Sequence, residues 1–449
     1  MIHKYSLYGT NIVLDTASGA VHIVDDIAYN LIDENDTSLK DLEYLKQRYG
    51  AKYPVEEVEE AYKELKELCD NGLLYTKDDY RNIPGIELKN HVIKAMCLHV
   101  CHDCNLRCGY CFAHTGDFGG RRMLMDEETA KRAVDFLVRN SGARRNLEID
   151  FFGGEPLMNM DVVKKTVEYI KKYEDSWGKK INLTITTNGV LLDDENLEYI
   201  NEYMDNLVLS IDGRKEINDK MRKTISGKGS YDVIIDKLKK AADSRNQDRY
   251  YVRGTFTSLN LDFSEDVKHL AEMGFKQISV EPVVAPDGSG YELKEEHLPI
   301  LFKEYEKLAK YYAEKWQTDD WFNFFHFMID LTQGPCVAKR VRGCGAGSEY
   351  VAVTPEGDIY PCHQFVGQTE FIIGNVYGNE LDYELMDTFK EKNVFTKKSC
   401  MDCWARYYCS GGCHANSWNL NKDLDIPYEL GCELQKKRIE CAIWAKAME

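Results

Sequence analysis

Apolar and polar positions along the chain fall into distinct regimes. Near the start, short alternating runs at residues 4–8, 11–15 and 20–24 predict strands, with turns at Gly9-Thr10 and Ser18-Gly19. Helical spacing follows at residues 27–32, 39–49 and 55–71. In the last of these Val58, Tyr62, Leu65, Leu68 and Cys69 recur on one face, and Gly72 suits the C-terminal cap. Three strands followed by three helices is a winged-helix order. From about residue 90 the pattern changes. Apolar runs at 92–100, 147–152, 182–186, 207–211, 250–256 and 277–281 alternate with helical segments near 126–139, 161–173, 195–203, 231–242 and 264–273. Six β-α units predict an α/β fold with a parallel sheet curled into a partial barrel. A bridge carries the helical stripe Leu301, Tyr305, Leu308 and Tyr312 and the aromatic run 321–327, both expected to pack in the core. The expected divisions are thus 1–85, 90–285, 286–340 and 341–449.

Composition narrows the function classes. Hydrophobic residues are 43% and charged residues 29%, as in a globular protein with a large core. The net charge of −18 argues against nucleic acid as a partner, and four glutamates (Glu56, Glu57, Glu59, Glu60) crowd the third helix, where a DNA reader would be basic. No apolar run reaches the ~18 residues of a membrane span, and the first residues lack a signal-peptide core, so no membrane association and a cytoplasmic location are expected. In that compartment fifteen cysteines suggest metal or redox chemistry rather than disulfides.

Unusual residues collect where barrel-type sheets place chemistry, at the carboxyl ends of strands. Cys104, Cys108 and Cys111, spaced C-x3-C-x2-C, follow the first strand. Gly153-Gly154-Glu155-Pro156 follows the second, Thr186-Thr187-Asn188-Gly189 the third and Ser210-Ile211-Asp212-Gly213 the fourth; Arg253 lies in the fifth, and Ser279-Val280-Glu281-Pro282 ends the sixth. Singly these are weak signals, since Gly-Gly and Asn-Gly after a strand are usually turns. Three thiolates can hold three irons of a 4Fe–4S cluster and leave one iron open; the spacing alone also fits zinc or core cysteines. Cys97 and Cys101 are expected to be core residues of the first strand.

Together, the cysteine loop and the features in register with it resemble the core of radical S-adenosylmethionine (SAM) enzymes. The resemblance implies a 4Fe–4S cluster on Cys104, Cys108 and Cys111 whose open iron chelates SAM. By the same motifs Gly153, Gly154 and Glu155 receive the SAM amino group, Ser210 and Asp212 lie near the ribose, Arg253 pairs with the carboxylate, and the backbone of Tyr110 contacts the adenine. Asn188 joins this set unless it serves only the turn.

A second cysteine group begins at Cys344 and continues with Cys362 in a G-x4-C motif, then Cys400, Cys403, Cys409, Cys413 and Cys432. Short-spaced pairs such as these bind zinc in other proteins. Behind this barrel, the spacings resemble the SPASM extension, which carries two auxiliary 4Fe–4S clusters and brings the expected total to three. The resemblance puts Cys400, Cys403, Cys409 and Cys432 on the second auxiliary cluster and Cys344, Cys362 and Cys413 on the first, whose remaining site is open or taken by Cys336.

The N-terminal module resembles the element by which peptide-modifying enzymes bind a leader peptide as an added strand; the alternative is a plain cap on the next domain. The whole arrangement is similar to maturases of six-cysteines-in-forty-five-residues precursors, among the sactipeptide and ranthipeptide synthases. This implies thioether crosslinks between Cys sulfur and an acceptor residue, Thr being expected, in a Cys-rich precursor peptide, with a flavodoxin or ferredoxin as electron donor. The rivals are an anaerobic sulfatase maturase making formylglycine and a zinc-binding, peptide-docking scaffold. Sulfatase-maturing relatives carry an Asp base directly after the G-x4-C cysteine, where this chain has His363.

Overall fold

The computed structural model describes residues 1–82, 91–332, 337–341, 343–378 and 380–449. The expected joint between the first two divisions and Cys336 lie outside the described residues.

Strands β1 (Ile2–Leu7), β2 (Thr10–Asp15) and β3 (Val21–Val24) form an antiparallel sheet in that order. Helices α1 (Asp26–Leu31), α2 (Leu42–Tyr49) and α3 (Val55–Asp70) follow. Asp25 and Asp41 cap the first two by accepting from Ala28 N and Tyr44 N. Val13, Leu45, Val58 and Leu65 form a small separate core. The module docks on the C-terminal region: His3 stacks on Trp404 with ring centroids 3.7 Å apart, Tyr5 OH donates to Glu440 O at 2.8 Å, and Arg406 and Tyr407 both engage Asp78.

The main sheet begins with β4 (Ala95–His102), buried along its whole length. Two short strands, β5 (Leu106–Cys108) and β6 (Met123–Leu124), precede α4 (Glu127–Arg139). Then come β7 (Asn146–Gly153), α5 (Met160–Trp177), β8 (Lys180–Thr187), α6 (Asp194–Tyr203) and β9 (Asn206–Ser210). After α7 (Lys215–Met221) and the short β10 (Arg222–Thr224), α8 (Tyr231–Ser244), β11 (Tyr250–Phe256), α9 (Phe263–Glu272) and β12 (Gln277–Pro282) complete the alternation. Burial alternates with period two: Leu147, Ile149 and Phe151 pack in the core with Ile181, Leu183 and Ile185, while Asp150, Phe152, Thr184 and Thr186 point to the other face, the barrel lumen.

The sheet is longer than the six alternations at both ends. Beyond α10 (Leu298–Lys315), β13 (Asn323–Phe324) from the aromatic run pairs in parallel with β12. At the other edge β14 (Tyr350–Val353) pairs in parallel with β4, and β15 (Asp358–Tyr360) and β16 (Gly374–Asn375) continue it antiparallel. The described order is β13-β12-β11-β9-β8-β7-β4-β14-β15-β16. The C-terminal division therefore shares a hydrogen-bonded ladder with the barrel, which satisfies an edge of β4 that six strands alone leave open. Leu301, Tyr305, Leu308 and Tyr312 are buried, as are Phe322, Phe324 and Phe327, whereas Phe325 is half exposed.

Candidate active site at the carboxyl ends of the strands

The first cysteine loop leaves β4 and is held on every side by backbone. Asp103 accepts Cys104 N on its carboxylate at 2.8 Å and Glu155 N on its carbonyl at 2.9 Å. Gly154 N donates to Cys101 O at 2.7 Å. A Cβ at Gly154 would lie 2.1 Å from Asp103 O, and one at Gly153, where φ is +129°, 2.1 Å from Cys101 O. The glycine pair lets the end of β7 press onto the cysteine loop. On the far side β5 and β10 form a ribbon pairing Cys108 with Arg222, and Gly109 N donates to Met221 O at 2.9 Å.

Beneath the ribbon lies a buried charge pair. Asp212, fully buried, accepts from Arg222 Nε at 3.0 Å, from Tyr110 OH at 2.6 and 2.7 Å, and from Thr255 N at 3.0 Å. Burial alone would lower the Arg222 pKa; Asp212, Tyr110 and Cys108 outweigh it and hold the guanidinium charged. Burial raises the Cys104 thiol to about 12 and Cys108 to about 11, and the charges of Cys108 and Cys111 also act on Cys104.

The remaining predicted residues surround the loop. Glu155 is almost fully buried and accepts from Leu157 N, Thr187 OH and Asn188 N at 3.1, 2.8 and 2.8 Å; burial lifts its carboxyl to about 7 against these donors. Asn188 is more than a turn residue. Its amide donates to Asn105 Oδ1 at 2.7 Å and lies 3.6 Å from Cys104 Sγ. Ser210 ends β9 in register with Arg253 on β11, and Arg253 Nη2 donates to Glu281 at 2.8 Å. Burial would raise Glu281, but Arg253, His326 and Arg438 draw it down to about 2. His326 accepts from Arg438 at 3.0 Å on one ring nitrogen and meets Ser279 at 3.1 Å on the other. Deeper in the lumen, burial lifts Asp150 to about 7, with Thr186 and Arg253 acting downward.

The second cysteine group divides into two sets. The thiols of Cys413 and Cys344 act on Cys362, whose pKa burial pushes far up. Those of Cys409, Cys400 and Cys403 act on Cys432, which burial raises to about 12. Cys362 follows β15, which runs back along β14, so it lies at the amino end of β4 beside Tyr350 and Cys97. Next to it His363 packs between Phe112 and Phe152, at 5.5 and 5.3 Å between ring centroids, and meets Tyr350 OH at 3.3 Å. Burial lowers His363 to about 4, with Arg253 acting in the same sense. Among the described residues no three His, Cys, Asp or Glu side chains are placed to hold a single metal ion. Cysteine thiolates are the usual ligands of iron–sulfur clusters, whose ligands sit on separate irons.

The family model "Radical SAM superfamily" matches residues 98–273, and the model "Iron-sulfur cluster-binding domain" (SPASM) matches 344–404. The chain belongs to the radical SAM/SPASM family. The serine-type anaerobic sulfatase-maturating enzyme of Bacteroides thetaiotaomicron is 29% identical over 352 residues, 71% of this chain and 82% of that protein. Native anSMEcpe with bound AdoMet superposes with a TM-score of 0.62 at 21% identity, over 78% of this chain and 97% of that one. Streptococcus suis SuiB bound to precursor peptide SuiA superposes at 0.52 and 16% identity, over 95% of this chain and 97% of that one.

In a radical SAM enzyme these loops hold a 4Fe–4S cluster and SAM, and the converging thiols, the Gly153-Gly154 turn and Arg253 fit those groups. Sequence reasoning missed the residues that hold the first loop in place: Arg222, Asp103, Asn105 and the three-residue ribbon. Each works through a partner distant in sequence or through backbone, so none carries a local signal. The lumen residues Asp150 and His326 were also missed, although the period-two alternation of β7 points Asp150 inward.

Proposed function

We propose that this radical SAM/SPASM protein forms thioether crosslinks between Cys sulfur and a carbon of an acceptor residue, Thr being expected, in a Cys-rich precursor peptide. The observation that carries the reading is the N-terminal module docked on the cysteine-rich region. SuiB, recorded with its precursor peptide, superposes over 95% of the chain, whereas anSMEcpe superposes over 78%. In this reading residues 1–85 bind the leader, 90–285 are the radical core, 286–340 the bridge, and 341–449 hold two auxiliary clusters.

When bound on Cys104, Cys108 and Cys111, the cluster and SAM supply the one-electron cleavage of SAM that starts hydrogen abstraction from the peptide. The chain's residues position the reactants. The Gly153-Gly154 turn offers its backbone to the SAM ammonium, and Glu155, with donors on both oxygens, keeps acceptor capacity for it. Arg253 uses Nη2 on Glu281 and has other guanidinium donors for the SAM carboxylate. Asp212 acts on the ribose edge chiefly by fixing Tyr110 and Arg222, and Ser210 lies on the lumen face beside Arg253. Asn188 holds the loop through Asn105.

Cys344, Cys362 and Cys413 are assigned to the first auxiliary cluster, with its remaining site open, and Cys400, Cys403, Cys409 and Cys432 to the second. A flavodoxin or ferredoxin supplies the electrons. Formylglycine formation is the second reading, favoured by the 29% identity to a sulfatase-maturating enzyme. Sulfatase-maturing relatives place an Asp base at position 363, where this chain has a histidine packed between Phe112 and Phe152.

The test is anaerobic incubation of reconstituted enzyme, SAM and reductant with a Cys-rich precursor peptide, read by mass and thiol count. Loss of two hydrogens per event, with a matching loss of alkylatable thiols that survives reduction, is expected. Exchange of one sulfur for oxygen with loss of two hydrogens would establish formylglycine formation instead.

A further inference from the structure

Lys397 is the anomaly of the C-terminal region. Its side chain is 1% exposed, and its Nζ donates to Gly411 O at 3.0 Å. No carboxylate among the described residues pairs with it, and Asp425, which acts on it from further off, is already paired with Lys392 at 2.6 Å. Other cations near these cysteines have polar partners: Lys436 pairs with Glu433 at 2.7 Å, and Arg438 with His326 at 3.0 Å. A fully buried ammonium satisfied only by a carbonyl is strongly unfavourable unless negative charge lies close by.

Cys400 N donates to the Lys397 carbonyl at 2.9 Å, and the charges of Cys400, Asp425, Cys413 and Cys409 act on the ammonium. Cys400 and Cys409 belong to one set and Cys413 to the other, and Gly411, its hydrogen-bond acceptor, lies between Cys409 and Cys413 in the chain. As ligands of iron these sulfurs are thiolates, and both sets then present negative charge to the same ammonium.

We propose that Lys397 is a shared counter-cation of the two auxiliary clusters, a positioning charge that raises the reduction potential of both. Adding an electron makes a cluster more negative, so a fixed cation beside it favours the reduced form. Lys397 thereby fits these clusters to accept electrons from the chemistry in the lumen. The inference rests on the assignment of auxiliary clusters under Proposed function.

The test is an EPR-monitored potentiometric titration of the cluster-loaded enzyme as wild type, Lys397→Met and Lys397→Arg, with iron and sulfide counted in each. Lys397→Met is expected to make the auxiliary clusters at least tenfold harder to reduce, about 59 mV for one electron. The cluster on Cys104, Cys108 and Cys111 should be unmoved, and Lys397→Arg should return the auxiliary potentials toward wild type. Unchanged potentials in Lys397→Met overturn the proposal, as does an equal shift in Lys397→Arg. If Lys397→Met fails to keep auxiliary iron, retention in Lys397→Arg supports the charge role, and loss in both variants overturns it. Wild-type enzyme with the iron of a single cluster would instead defeat the cluster assignment itself.

Discussion

The two cysteine regions are built in opposite ways. The first grows out of β4 and is clamped by β7, by the β5–β10 ribbon and by the Asp212–Arg222 pair. The second rests on one-turn helices, Lys398–Met401 and Arg406–Cys409, the latter followed by three successive residues in left-handed conformation, Ser410, Gly411 and Gly412, with φ of 66°, 83° and 76°. Among the described residues no strand enters that stretch, and no carboxylate pairs with its buried cation. The first region is therefore held by hydrogen bonds within the protein. The second has fewer such clamps, and metal bound there would contribute its binding free energy to folding.

Removing iron should expose this contrast most strongly. Hydrogen exchange on chelator-treated protein is expected to show lost protection across residues 398–432, with residues 95–102 still protected. Equal loss in both would mean that the first region also depends on metal. Next, Arg222→Met should attack the strength of the first region. It strands a buried carboxylate and is expected to cost about 3–5 kcal/mol of stability, measured by denaturant unfolding. A smaller effect is expected from Gly154→Ala, about 1–3 kcal/mol, because its Cβ meets the Asp103 carbonyl; SAM affinity, by equilibrium binding, should fall with it.

A further effect concerns pH. The folded Asp150 pKa, about 7, lies above its unfolded value of 3.8, so the folded state holds that proton more tightly. Its stabilising contribution is complete below the unfolded value and disappears as pH rises through about 7. Asp150→Asn should therefore gain in Tm relative to wild type between pH 5 and 8, and a constant difference would refute the assignment.

What the sequence could show follows the same divide. Cysteine spacings are local, which is why both cysteine regions could be found along the chain. The alternation of strands and helices was legible because each element is several residues long and periodic. Arg222 was not, since its partner lies across a turn and the ribbon is only three residues long. The strand β14 was also hidden. Four residues carry little periodicity, and its pairing with β4 spans some 250 positions of sequence. Lys397 was missed because lysine is ordinarily a surface residue.

The ring contact at His363 is a short bridge. Phe112 directly follows Cys111, His363 directly follows Cys362, and their ring centroids lie 5.5 Å apart. Neighbours of the two cysteine regions therefore meet through one packed pair of rings, and a shift of either loop reaches the other as a change of packing.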